Sequence, residues 1–409
     1  MPELDVAVAR WLVSHTGCDA VATATRSLDD GADDIAVVTE LRRQGLDPPR
    51  TAAVCAAATA RRRARARWVD ADQLLFTRES LEQASDPEVA RWRAQRFADR
   101  DVWDLCAGVG GDTLALARRA TMVSAVDIDP ARLVLLAHNA ACRGVEVAAI
   151  PGDALTVTVP AGAALHADPA RRRGMRRVRH LADHVPPVPA LLSRHGAAAG
   201  SGVVLSPAVD TTDPGFPRDA EVEFIQLGSE LVEASVWLGD LRQAGGVVAT
   251  ATLLPDGHQR VRRGPRPPRL AVGQIGDHLV EIAPAAVRAR LHDDIGEEIG
   301  ARRIALRRAL LTCDGVPPPS PWYRARAVLT VQPARPRALR SWLRATGVGP
   351  VEVVLHGLER DPQAWWRELG RPERGPGGVR IELTRLDAGA VAIVTDDGPS
   401  GRQRVEHQP

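Results

Sequence analysis

A chain of the α/β class, built on parallel strands, is what this sequence predicts, and three observations predict it. Residues 102–117 read as the end of a buried strand (Val102-Trp103-Asp104-Leu105), a turn of small residues (Cys106-Ala107-Gly108-Val109-Gly110-Gly111), and a helix opened by Asp112 as its capping residue. Residues 123–127 read as a second strand that ends on an acid, Asp127, about 20 residues after the glycines. Residues 145–150 read as a third strand, followed by Gly152-Asp153-Ala154. Strand, glycine turn and helix in that order present backbone N–H groups and a helix N-terminus to a bound ligand. An acid closing the second strand lies where a Rossmann-type unit holds a ribose.

The elements before this unit are helical. Leu4, Val8, Trp11 and Leu12 have helical spacing, as do Ala36, Val37, Leu41 and the alanine-rich residues 52–60. Pro48-Pro49 breaks one helix and starts the next. No strand and helix alternate here, so residues 1–95 are expected to form a small helical domain packed on the α/β unit. The run Arg61-Arg62-Arg63-Ala64-Arg65-Ala66-Arg67 is either a solvated helix face or a phosphate-contacting patch. Residues 74–97 pass from an apolar stretch through Thr77 into an amphipathic helix carrying Trp92 and Phe97, with Pro87 near its start. That helix delivers the chain to Asp101-Val102 and is expected to cover one edge of the ligand site, with Trp92 and Phe97 in the core.

After the second strand, Asp129 and Pro130 open another helix. Residues 163–167 form a fourth strand that runs into Asp168-Pro169-Ala170-Arg171-Arg172 and an arginine-rich segment through Arg179. Residues 203–207, 221–225 and 246–250 read as later strands, with residues 230–237 a helix that turns Leu231, Ala234 and Leu238 inward. Residues 257–268, rich in Arg, Gly and Pro, read as a mobile surface loop. Pro317-Pro318-Pro319-Ser320-Pro321 is a stiff linker and marks a domain boundary. Beyond it a strand (325–331), a helix (336–346), a strand (350–355), a helix (361–369) and two strands (379–385 and 390–395) make a small α/β unit.

Composition removes several function classes. The chain has 409 residues and no lysine, all 53 of its basic residues being arginine, which rules out a Schiff-base mechanism and a Walker P-loop. The formal net charge is +2, so a nucleic-acid surface must be a local patch. The five cysteines (Cys18, Cys55, Cys106, Cys142, Cys313) are scattered with no C-x-x-C pair, which suggests neither a disulfide framework nor a metal site. No apolar run approaches a membrane span, and the N-terminus has no signal-peptide core. A cytoplasmic location, no membrane partner and no metal are expected.

The turn itself selects the ligand. A dinucleotide fold places a small residue three positions after its second glycine, where this chain has Thr113, and Asp104 before the glycines would repel a pyrophosphate. The ammonium and sulfonium of S-adenosylmethionine suit that carboxylate. These residues resemble the class I S-adenosylmethionine-dependent methyltransferases, whose first motif is acid-x-Gly-x-Gly-x-Gly, with Cys106 in place of the first glycine as in several RNA methyltransferases. The resemblance implies a Rossmann-like methyltransferase sheet over residues 96–316, with S-adenosylmethionine as cofactor. It implies cofactor contacts at Asp104, Cys106, Gly108, Gly110, Asp127, Ile128, Asp153 and Ala154, with Asp127 on the ribose hydroxyls and Asp153 on the adenine amine. It implies a catalytic pair, Asp168 and Pro169, where the family commonly carries Asn-Pro-Pro-Tyr or Asp-Pro-Pro-Tyr. Here the aromatic is absent and Arg171 takes its place; Arg171 and Arg172 are expected to contact substrate phosphates.

Residues 322–398 resemble the THUMP-like C-terminal domain of bacterial methyltransferases, through Leu339-Arg340-Ser341-Trp342-Leu343-Arg344, Gly347-Val348-Gly349, Val351-Glu352-Val353, Asp361-Pro362 and Leu383-Thr384-Arg385. Residues 279–291 also resemble a segment of that family, with Arg288 retained. The resemblance implies an RNA substrate, a tRNA or rRNA base. The basic run that relatives carry after the third element is Val354-Leu355-His356-Gly357 here, without fixed charge. Two other readings stay open: a methyltransferase acting on a protein or small molecule, and a non-catalytic RNA-binding protein whose methyltransferase fold has lapsed. A nicotinamide dehydrogenase is the outsider.

Overall fold

The fold is that of a computed structural model whose described residues are 4–170, 172–173, 176–177, 180–265, 268–306, 309–348, 351–356, 358, 361–370, 378–386 and 389–396. Two compact units divide the chain, residues 1–263 and 264–409.

The first unit begins with six helices: α1 (Val6–Leu12), α2 (His15–Asp29), α3 (Asp34–Arg43), α4 (Pro48–Ala64), α5 (Arg78–Gln83) and α6 (Pro87–Ala94). Each starts on a side-chain cap, from Asp5, Ser14, Asp33, Asp47, Thr77 and Asp86, and α4 and α6 add a proline in the first turn. Their apolar faces share a core with the rest of the unit: Leu12, Val54, Trp68 and Phe76 pack in one cluster with Val109, Leu114 and Leu135. The helical segment is therefore a layer of this unit, with no separate core of its own.

The sheet of this unit is built from β1 (Asp101–Leu105), β2 (Met122–Asp127), β3 (Ala148–Pro151) and β4 (Ala164–Ala167), with α7 (Thr113–Leu116) and α8 (Pro130–Cys142) between the first three. A two-stranded ribbon, β5 (Arg172–Arg173) with β6 (Arg176–Arg177), and α9 (Val188–Arg194) precede β7 (Gly200–Leu205). The sheet continues with β8 (Glu221–Leu227), β9 (Glu230–Gly239), β10 (Val247–Leu254) and β11 (His258–Arg263). Its order is β11-β10-β8-β9-β7-β4-β1-β2-β3. β1 is parallel to both β2 and β4, so the chain winds outward to β3 and crosses back to β4. That reversal opens a crevice beyond the carboxyl end of β1, where ligands bind in open α/β sheets.

Three expectations are corrected here. Residues 230–237 are strand β9, antiparallel to both β7 and β8, and not a helix. The spacing of Leu231, Ala234 and Leu238 fits a helix by chance. The strand is interior, so residues 234–237 are buried whichever face they meet, and the two-residue alternation is hidden. Residues 258–263 form strand β11 on the sheet edge, and not a loop, because Pro255-Asp256-Gly257 turns the chain back along β10. The third strand begins three residues later than its spacing suggested, at Ala148.

The second unit holds a sheet in the order β13-β14-β12-β15-β18-β17-β16. Its elements are β12 (His278–Ile282), α10 (Pro284–Arg288), α11 (His292–Glu298), β13 (Arg302–Arg303), β14 (Leu310–Cys313), β15 (Tyr323–Pro333), α12 (Pro336–Thr346), β16 (Val351–His356), α13 (Pro362–Glu368), β17 (Val379–Leu386) and β18 (Gly389–Asp396). Leu339, Leu343 and Trp365 of its helices pack on Ile381, Leu383 and Val394. β12 pairs with β15 across the Pro317–Pro321 segment, so that segment lies inside this unit, and the contacts divide the chain at residue 263 instead. The proline-rich composition marks a stiff connection between two strands of one sheet.

Candidate functional site

The glycine turn leaves β1 through Cys106, whose φ of 63° is in the left-handed region, followed by Gly108 at 57° and Gly110 at 97°. A β-carbon on Gly108 would meet nothing within 4 Å, so this backbone is open to a ligand. One on Gly110 would stand 3.3 Å from Leu136, and one on Gly111 would stand 3.2 Å from the backbone of Ser85. Gly110 thus packs against α8, and Gly111 against the chain entering α6.

Asp127, at the end of β2, anchors the near side of the turn. One oxygen accepts from the Gly108 N–H at 2.8 Å and the other from the Asp129 N–H at 2.9 Å. Asp104 points inward from β1 and is buried. It accepts from the Thr113 hydroxyl at 2.5 Å and pairs with Nδ1 of His166, on β4, at 2.7 Å. Burial alone would pull the His166 pKa down; the charge and hydrogen bond of Asp104 outweigh it and hold the imidazole above its usual value.

Asp112 does not cap α7. No side-chain cap bond forms there, and the carboxylate turns instead to Arg93 and, at 3.0 Å, to Ser85 Oγ. Burial would raise its pKa, but the Arg93 guanidinium keeps it below the ordinary value.

These groups open onto one cavity of about 1180 Å³. Asp104, Cys106, Gly108, Asp127, Ile128, Asp153, Ala154, Asp168 and Pro169 all line it; Gly110 does not. Burial, followed by the charges of Asp127, Asp168, Asp104 and Asp153, pushes the Cys106 thiol well above its ordinary pKa. Four carboxylates from the ends of β1, β2, β3 and β4 thus surround the same part of the cavity. Ten carboxylates and two arginines (Arg67 and Arg132) line the cavity among the described residues, and no aromatic does. Arg93 behind Asp112 and Glu233, and His166 behind Asp104, offset part of that charge; the carboxylates that remain favour a cationic occupant. Ile128 is 75 % exposed on the wall beside Asp127, an apolar face presented to the opening.

Ser85, Asp86 and Val89, from the entry to the helix expected to cover one edge of the ligand site, line the cavity; the wall that sequence reasoning missed is Glu230 and Glu233 of β9. A signal existed for Arg93, which falls on the apolar stripe of Val89, Ala90, Ala94 and Phe97. The run at residues 61–67 is largely paired within the fold. Arg61 donates to the Leu74 carbonyl, Arg62 and Arg65 pair with Asp29, Arg65 also with Asp72, and Arg67 donates to the Leu81 carbonyl. Arg171 and the side chain of Arg172 lie outside the described residues. Among the described residues no group of three or more His, Cys, Asp or Glu side chains is placed to hold a metal, and no helix is long and apolar enough to cross a membrane.

Residues 99–181 match the family model described as RNA cap guanine-N2 methyltransferase, and residues 5–64 match a domain of unknown function. An uncharacterized S-adenosylmethionine-dependent methyltransferase of Mycobacterium tuberculosis is 34% identical over 330 residues, covering 80% of this chain and 89% of that protein. The crystal structure of a putative methyltransferase from Porphyromonas gingivalis superposes with a TM-score of 0.69 at 17% identity, over 96% of this chain and 97% of that one.

Proposed function

The chain belongs to the S-adenosylmethionine-dependent methyltransferases, and we propose that its cavity binds the cofactor at the β1–β4 strand ends and methylates a nitrogen of an RNA base held at Asp168. The observation that carries this is that Asp104, Asp127, Asp153 and Asp168, from four strand ends, line one cavity with Cys106 and the open Gly108 backbone. A positively charged sulfur and ammonium fit that field, and the open Gly108 backbone leaves room for close approach.

The bound cofactor supplies a methyl group on a positively charged sulfur. Every other task falls to the chain. Asp127, already fixed by two backbone N–H groups, has lone pairs left for the ribose hydroxyls. Asp153 accepts from the adenine amine, with Ala154 beside it and Ile128 covering the ring face. Asp104 lends charge to the amino-acid end, although both its oxygens already have protein partners. Asp168 and the Pro169 carbonyl accept hydrogen bonds from the target amine, which aims its lone pair at the methyl group, and Asp168 takes the proton released. Catalysis is then mainly alignment in a site with little water.

The RNA target is supported by the family model over residues 99–181, by the arginine-rich residues 171–179, and by the THUMP-like reading of residues 322–398. Arg171 and Arg172 are the residues proposed to meet its phosphates. The test is methyl transfer from labelled cofactor to cellular RNA, expected to vanish in Asp168→Ala, with RNA binding that weakens as salt rises. Transfer to no RNA, with salt-independent or absent binding, overturns the RNA reading.

The absence of any aromatic among the described lining residues favours a second reading, an amine acceptor on a protein or small molecule. Labelling of protein instead of RNA in the same experiment would establish it. No labelling of any fraction, with the cofactor bound, would point to a lapsed enzyme.

A further inference from the structure

Resting on the proposal that the cavity holds the cofactor, we propose that Arg93 is a positioning residue for the cofactor's amino-acid end, acting through Asp112 and the glycine turn. Arg93 is 1 % exposed and does not itself line the cavity. Its guanidinium donates to Asp112 on the turn, to Glu233 on β9, and at 3.0 Å to Ser85 Oγ before α6. The Ser85 hydroxyl donates in turn to the second Asp112 oxygen at 3.0 Å, and Ser235 donates to Glu233 at 2.9 Å. Ser85, Asp112 and Glu233 all line the cavity, so one buried cation ties together three pieces of its wall.

Two features argue that this serves the site. Asp112 stands at the start of α7, where an aspartate ordinarily caps, yet it forgoes the cap for Arg93. The turn is also pinned at both ends by different groups. Asp127 holds the Gly108 N–H at the ribose side, and Arg93 holds Asp112 at the other end, with Gly111 lying against Ala84 and Ser85 between them. The two pins therefore serve different parts of one ligand. Asp127 governs the nucleoside and Arg93 the amino-acid tail.

Calorimetry on the full chain separates them, with S-adenosylhomocysteine and 5′-methylthioadenosine, which lacks the tail, as probes. Arg93→Lys keeps the charge but loses the planar fork whose two terminal nitrogens reach Glu233 on one side and Asp112 and Ser85 on the other. We expect it to weaken S-adenosylhomocysteine roughly tenfold, the order of one charge-assisted hydrogen bond, and to leave 5′-methylthioadenosine unchanged. A general loosening of the fold would weaken both ligands alike. Equal loss, or no loss, overturns the proposal. If Arg93→Lys does not fold, Ser85→Ala decides: a selective loss of about threefold for S-adenosylhomocysteine supports the proposal, and an unchanged ratio of the two affinities defeats it. Asp127→Asn is the control on the underlying reading. It should weaken both ligands, and if it weakens neither, the cavity is not the cofactor site, whatever Arg93 does.

Discussion

Arg93, near the end of α6, and Arg96, in the single 3₁₀ turn that continues it, sit about one turn apart and make two different kinds of ion cluster. Arg96 pairs with Glu221 at 2.7 Å and Glu223 at 3.2 Å and lies over the Trp237 ring at 4.4 Å. Those carboxylates also accept from Trp92, Trp237, Thr250 and Thr252, and from the Gln243 N–H, on the β8 and β10 side of the sheet. Neither Arg96 nor its carboxylate partners line the cavity, whereas both carboxylates held by Arg93 do. Similar chemistry thus sits in two places: one cluster fastens a helix to a sheet, and the other ties together three pieces of the cavity wall. Location relative to the crevice, and not the ion pair as such, separates structure from function.

The largest expected effect tests the structural cluster. Arg96→Ala leaves Glu221 and Glu223 buried without their cation and should lower unfolding free energy by about 3–5 kcal/mol in urea titrations. The folded fraction should bind cofactor with unchanged affinity; a selective loss of binding would erase the distinction between the two clusters. Asp127→Ala sharpens the opposite side. Cofactor affinity should fall by roughly 1.5–3 kcal/mol by calorimetry, the range for a charged hydrogen bond, and stability should fall as well because the Gly108 and Asp129 N–H groups lose their acceptor. Unchanged affinity would remove Asp127 from the site.

A smaller, pH-dependent effect belongs to the Asp104–His166 pair beneath the turn. The folded His166 pKa lies above its unfolded value of roughly 6.5, so its stabilising contribution is complete below that pH and fades as pH rises through the folded pKa. Facing it are Asp104, Asp112 and Arg93, with Phe97 edge-on at 5.7 Å. His166→Gln should flatten the alkaline decline of the urea midpoint, and an unaltered decline would assign it to another group. The smallest effect is expected where arginine is most conspicuous. Arg62→Ala, at an exposed pair with Asp29, should leave the melting midpoint unchanged within measurement, and leave any RNA affinity unchanged too. A marked fall in RNA affinity would return the 61–67 run to the interface.

Much of the site was legible because it is local. The glycine turn, the acid closing β2 and the acid after β3 follow from spacing within about fifty residues of chain. Burial and backbone geometry then bring Asp104, Asp127, Asp153 and Asp168 to one cavity. What was not legible depends on partners distant in sequence. Nothing near Asp112 announces that it abandons its helix cap, because Arg93 lies nineteen residues earlier in the chain. Glu233 was hidden twice, by a helical spacing that proved accidental and by a partner on α6. The arginine run at 61–67 was open to two readings, a solvated face or a phosphate patch, because its partners, Asp29 and Asp72, are on other segments.

By itself the sequence determined the class of fold and the kind of ligand. Short-range pattern decides which segments become strands and helices, and a carboxylate placed before, between and after two strands carries its charge wherever the chain folds. Only the tertiary structure decided which of many identical side chains matter. Of the arginines on α6 and the turn that continues it, packing buries Arg93 against the cavity wall, half-buries Arg96 behind it and leaves Arg91 at the surface. That choice depends on which neighbours exclude water around each guanidinium, and those neighbours meet only when the sheet has closed.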